Sequence, residues 1–274
     1  MVTGEFVDED DRDAGPGLLV EQCERAGLGV RHDPPFGGWV PDSMSYVKYL
    51  LVDRPSPGVL RVRLNRPERR NAIDADVLGE LESVFAAPTE PVVVLASTDP
   101  RAFCAGGDLS LDAGALAALS QRLFAFYAQL VALPNVVVVA VDGAARGAGA
   151  QLLLCADLRV GGSHASISWL GARSGLALGT WRLPQLVGAG RASDLVLTGR
   201  ELAADEAHAI GLIDRLSDDA EATALEIATE LAGAPDGVCA QIKALLRAHD
   251  PAAALERERV ANTAQRLDRT VITT

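Results

Sequence analysis

Two glycine-bearing segments hold the residues whose types and order could do chemistry. The first, Val136 to Arg159, reads VVVVAVDGAARGAGAQLLLCADLR. Its apolar run over 136–141 reads as a buried strand that breaks at Asp142-Gly143, passes Gly147 and Gly149, and continues as an apolar helix over 148–156. A strand that turns through glycines into a helix aims unpaired backbone N–H groups and the positive end of the helix dipole at one point. That arrangement holds negative charge. The second segment, RAFCAGGDL over 101–109, also follows a strand, and Ala105-Gly106-Gly107 lets a ligand approach the backbone closely. Alone, a Gly-Gly-Asp loop is a common turn. Two such turns can each donate one N–H to a single oxygen, as in a two-donor oxyanion hole.

The elements that must position these turns are legible in outline. Residues 46–52 and 59–64 read as paired strands about a turn at Pro55–Gly58, and 74–85 as a helix capped by Asp74. A strand is expected at 92–96, a long helix at 113–133 and a short strand at 165–169. Helices follow at 183–197, 203–210, 220–232, 238–248 and 252–267, by apolar spacing and Ala/Leu/Arg content. Strands alternate with helices first and helices dominate later, which predicts an α/β core over 44–200 and a helical region over 201–274.

Residues 1–43 differ. They carry ten acidic residues against three basic, more than half of the net charge of −12, with clustered glycine and proline. Such a segment buries little and is expected to be poorly ordered. The acidic balance argues against nucleic acid as a partner. The four cysteines, Cys23, Cys104, Cys155 and Cys239, lack metal-ligand spacing, so no metal is expected. No basic, apolar leader and no long unbroken apolar run is evident, which predicts a cytoplasmic protein without a membrane partner.

In order along the chain, LNRPERRNAID at 64–74, RAFCAGGDL at 101–109, DGAARGAGAQLLLCADLRV at 142–160, LVLTGRELAADEAHAIGLIDRL at 195–216 and PDGVCAQIKALL at 235–246 resemble the crotonase (enoyl-CoA hydratase/isomerase) superfamily. The resemblance implies a spiral of ββα units with a C-terminal helical region, assembled as a homotrimer or dimer of trimers. It implies an acyl-CoA ligand and no cofactor beyond the coenzyme A of the thioester itself. By position, the N–H groups of Gly107 and Ala148 would hold the thioester oxygen. Arg69, Asn71 and Ala72 of the first loop, and Ala105, Gly106 and Asp108 of the second, would contact substrate.

The departures from the family pattern bear on the reaction. Family hydratases carry two glutamates; here the first position aligns with Gln151 and the second with Gly171. Between Gly143 and Arg200 the only carboxylates are Asp157 and Asp194. General acid–base work needs a group that gains and loses a proton, so two-glutamate hydration is disfavoured. Gln151 would orient water or substrate, and Gln151→Glu is expected to raise hydration. Asp112, just after the second loop, could reach an acyl chain. Trp169 and Trp181 would shape a pocket, and Arg173 or Arg182 could meet a substrate carboxylate. The alternative is a non-catalytic relative that binds CoA esters or partners a catalytic homologue.

Overall fold

The structure is a computed structural model, and it describes residues 45–170, 175–247 and scattered positions between 253 and 263. The acidic segment 1–43, Gly171, Arg173 and most of the helix expected at 252–267 lie outside the described residues.

The chain builds two sheets by alternating between them. Strands β1 (Ser45–Val47), β2 (Leu50–Ser56) and β3 (Val59–Leu64) form an antiparallel meander. β4 (Val92–Ser97) then pairs parallel with β3, β6 (Val136–Val141) with β4, and β8 (Leu158–Gly161) with β6. After each of these three the chain crosses to a smaller sheet, placing β5 (Ala102–Cys104), β7 (Ala144–Arg146) and β9 (Ser166–Ser168) side by side and parallel. A helix follows the first two crossings: α2 (Ala113–Ala132) after β5 and α3 (Ala148–Cys155) after β7. The repeating ββα turn is the expected spiral.

Strand composition explains why the large sheet sits inside. Every residue of β6 is buried, as expected for a parallel strand covered on both faces. Its alternate side chains serve two cores. Val137, Val139 and Val141 face α1 (Ala75–Val84), α2 and α3, with Phe85, Phe126 and Leu153 in the same cluster. Val136, Val138 and Ala140 face α7 (Ala220–Ala232), whose Ala220, Ala224 and Ala228 lie flat on the sheet. Small residues at four-residue spacing let that helix approach closely. Asp74 caps α1, accepting from the Asp76 and Val77 N–H groups, as read from sequence.

The region after residue 200 is helical but also completes both sheets. β10 (Leu202–Ala203) joins the small sheet and β11 (Arg215–Leu216) the large one, around α6 (Ala204–Ala209). The helix expected over 183–197 is two, α4 (Leu183–Val187) and α5 (Ala189–Thr198), because Gly188 between them takes φ 83°. The strand expected over 46–52 is likewise split between β1 and β2. Helix α2 has the length and composition of a membrane span, yet Leu119, Leu123, Phe124 and Phe126 bury one face of it in the main core.

Candidate active site

The two glycine turns meet. β5 ends at Cys104, and the chain passes Ala105, Gly106 (φ 100°) and Gly107; β7 ends at Arg146, and Gly147 (φ 49°) swings it into α3 at Ala148. A Cβ on Gly106 would lie 2.9 Å from the Arg146 carbonyl oxygen and 3.6 Å from the Ala148 nitrogen. One on Gly149 would lie 2.3 Å from the Cys104 carbonyl oxygen. Glycine at both positions therefore lets one loop sit directly on the first turn of α3.

Hydrogen bonds fix the direction of each amide. The Ile73 N–H donates to the Gly106 carbonyl and the Asp108 N–H to the Ile73 carbonyl, both at 2.8 Å. Successive peptides of an extended chain point opposite ways, so the Gly107 N–H is turned away from Ile73. The Gly147 N–H donates to the Ser168 carbonyl, and Ala148 opens α3, where helices leave N–H groups unpaired. Neither the Gly107 nor the Ala148 N–H has an acceptor among the described residues. Both residues line one cavity of about 140 Å³.

The cavity brings together Ala105, Gly106, Gly107, Ala148 and Trp169 of the residues expected from sequence. Trp169 is fully buried, and Gly179 (φ 83°) backs its indole so closely that a Cβ there would sit 2.9 Å from Cδ1. The other expected residues that the structure describes lie off this lining. Asn71 is buried, with Nδ2 donating to Ser97 Oγ and to the Ala102 and Phe103 carbonyls while Oδ1 accepts from the Arg66 N–H. It ties the first loop to β5 rather than facing a ligand. Asp108 accepts from Ser110 and from Arg66. The Ser110 hydrogen bonds, with Arg66 beside them, hold its carboxyl below the usual range. Asp112 is exposed and caps α2 by accepting from the Ala115 N–H at 2.8 Å. Arg69 is exposed and Ala72, half-buried, gives its carbonyl to Arg66. Gln151 is wholly buried one turn along α3 and does not line the cavity.

The far end of α3 carries a concentration of charge. Arg182 Nη1 donates to the Leu154 carbonyl at 2.6 Å and to that of Ala156 at 3.1 Å. Arg159 reaches the Ala156 carbonyl and Arg247 that of Cys155. Arg247 and Lys243 share Asp157 at 2.6 and 2.8 Å, and Arg159 pairs with Asp214. Cations at a helix C-terminus complement its dipole. Burial, with Arg247 and Arg159 close by, pushes Arg182 down to about 10. Arg182, a sequence candidate for a substrate carboxylate, is thus committed to the helix end. Burial also pushes the Cys104 thiol up to about 12, which removes it as a nucleophile at neutral pH.

A family model for enoyl-CoA hydratase/isomerase matches residues 54–270. The chain belongs to the enoyl-CoA hydratase/isomerase family. It is 40% identical over 177 residues to a probable enoyl-CoA hydratase of Mycobacterium tuberculosis, covering 62% of this chain and 72% of that one. It is 34% identical over 181 residues to the human mitochondrial enoyl-CoA hydratase domain-containing protein 2, covering 62% of each. A crystal structure of an enoyl-CoA hydratase from Bacillus anthracis superposes with a TM-score of 0.71 at 28% identity, over 78% of this chain and 89% of that one. The crotonase assignment and the α/β fold expected from sequence both stand, and the chain is an enzyme of this family.

Sequence reasoning missed most of the cavity wall. Leu116, Leu119, Leu123, Phe124 and Tyr127 line it from one face of α2. Their spacing of three and four is a helical stripe, a signal present in the sequence but indistinguishable there from ordinary core.

Proposed function

We propose that this family member binds an acyl-CoA thioester with its carbonyl oxygen between the Gly107 and Ala148 N–H groups, and stabilises the enolate formed there. The observation that carries this reading is the pair of unpartnered amides, supplied by separate turns, on one apolar cavity. Each well-aimed donor in a dry site is worth about 3 kcal/mol to a developing oxyanion. The dipole of α3 adds to it, and the cations on its other end favour the same orientation of charge.

The reaction is one other than two-glutamate hydration. Among the described residues the cavity wall holds no carboxylate. Isomerisation, decarboxylation or hydration by a substitute acid fits such a wall better. The working assembly is a homotrimer or dimer of trimers in the cytoplasm.

Titration with crotonyl-CoA and acetoacetyl-CoA, together with a hydration assay, tests the reading. Saturable binding of both, with crotonyl-CoA hydration well below the ~10 s⁻¹ typical of enzymes, is the expected result. Absence of binding to either refutes it, and hydration at or above that rate refutes the reaction assignment.

A further inference from the structure

We infer that the cavity selects a compact, uncharged, apolar acyl group of about six carbons, short alkyl or aryl, and rejects acyl groups that end in a carboxylate. This inference rests on the acyl-CoA reading and specifies what the acyl end must be.

Three observations carry it. The first is the wall. Leu116, Leu119, Leu123, Phe124, Trp169 and Leu178 surround the space, and the described lining contains no charged side chain. Its side-chain hydroxyls are those of Ser120 and Tyr127, and Tyr127 Oη already lies 3.4 Å from the Ala148 carbonyl oxygen. A carboxylate moved here from water would find no cation among the described residues of the lining, and unpaired buried charge is strongly disfavoured. The second is the engagement of three described arginines, carried by the site's loops or set at the end of α3, with Arg173 lying outside the described residues. Arg182 turns to the carbonyls of Leu154 and Ala156, Arg66 to Asp74 and Asp108, and Arg146 to Glu201. Each is spent on the scaffold. The third is size. The cavity measures about 140 Å³. An engineered protein cavity of about 150 Å³, lined by similar side chains, stays dry and takes up benzene. An apolar acyl end of six carbons matches that volume, and longer chains exceed it; Leu109 on the same lining is 84% exposed.

Calorimetric titration of the full chain with acetyl-, butyryl-, hexanoyl-, benzoyl-, decanoyl- and succinyl-CoA, against free CoA, tests this. Affinity should rise about fourfold per added methylene from acetyl to hexanoyl and then level off. Benzoyl-CoA should match hexanoyl-CoA, and succinyl-CoA should bind at least tenfold more weakly than butyryl-CoA. Phe124→Ala should move the plateau to longer chains. Leu116 is half-buried, so Leu116→Phe is the safer variant for folding; it should weaken hexanoyl-CoA about tenfold while sparing acetyl-CoA. Affinity that climbs evenly to decanoyl-CoA, or succinyl-CoA binding as tightly as butyryl-CoA, overturns the inference while leaving the acyl-CoA reading intact. If no thioester binds better than free CoA, the acyl-CoA reading itself fails.

Discussion

Single side chains in this protein divide sharply between those left for a ligand and those consumed by the fold. Gln151 shows the division. Its position in the motif suggested a group that orients water, but it is fully buried and off the cavity wall. A glutamate there would be desolvated and would resist ionising. Gln151→Glu is therefore expected to leave crotonyl-CoA hydration within tenfold of wild type, reversing the sequence expectation. A hundredfold gain in the same assay would mean that position 151 reaches substrate. Glu80 is a buried carboxylate outside the site, accepting from the Tyr49 N–H at 2.9 Å. Burial pushes it up to about 6, above its ordinary 4.5. Between these values the folded chain keeps a proton that the unfolded chain has lost, so stability falls as pH rises through that window. Glu80→Gln keeps the acceptor without the charge. It should gain about 1 kcal/mol at pH 7, after allowance for screening by water, and nothing at pH 4. Denaturant melts at the two pH values check this; equal gains at both would contradict it.

At the scale of elements, α3 is the part on which the site depends. All eight of its residues are buried; its first turn faces the cavity, and cations from elsewhere in the chain hold its last turn. Asp157 is the centre of that arrangement, taking Lys243, Arg247 and the Val137 N–H. Asp157→Asn should cost about 3–5 kcal/mol, because it leaves buried cations without their counter-charge; thermal melts measure it, and a loss below 1 kcal/mol would contradict the account. Gly149→Ala acts at the other end. Its Cβ would meet the Cys104 carbonyl oxygen at 2.3 Å, so α3 and β5 must separate. Acyl-CoA affinity should fall at least tenfold even where the chain stays folded, as titration beside circular dichroism would show. Unchanged affinity in a folded variant would break the link between the close approach and the site.

For the whole molecule, much of the large sheet was visible in advance, but of the small one only the strand expected at 165–169, which is β9. The runs at 92–96 and 136–141 read as buried strands because their apolar residues are continuous and β-branched, and the structure keeps both. β5 and β7 are three residues each, too short for any period to register. They exist because parallel neighbours from successive turns of the spiral complete their hydrogen bonds. The site divides in the same way. Its glycine turns were legible because positive φ and close approach leave few residue choices, whereas Arg69, Asn71, Asp108 and Asp112 carried the right chemistry and proved to be exposed, or spent on bracing and capping. The expected trimer belongs to this scale as well. Ile242, Leu245 and Leu246 of α8 (Val238–Leu246) are each more than half exposed, an apolar surface suited to burial between subunits. Light scattering should give a mass three or six times 28.7 kDa; a monomer would contradict the assembly.

The most direct test is a crystal structure of the protein with acetoacetyl-CoA. The thioester oxygen is predicted to lie about 3 Å from both the Gly107 and Ala148 nitrogens, with the acyl end against Leu119 and Phe124. A thioester oxygen held by neither amide, or an acyl group outside that cavity, would contradict the proposed function.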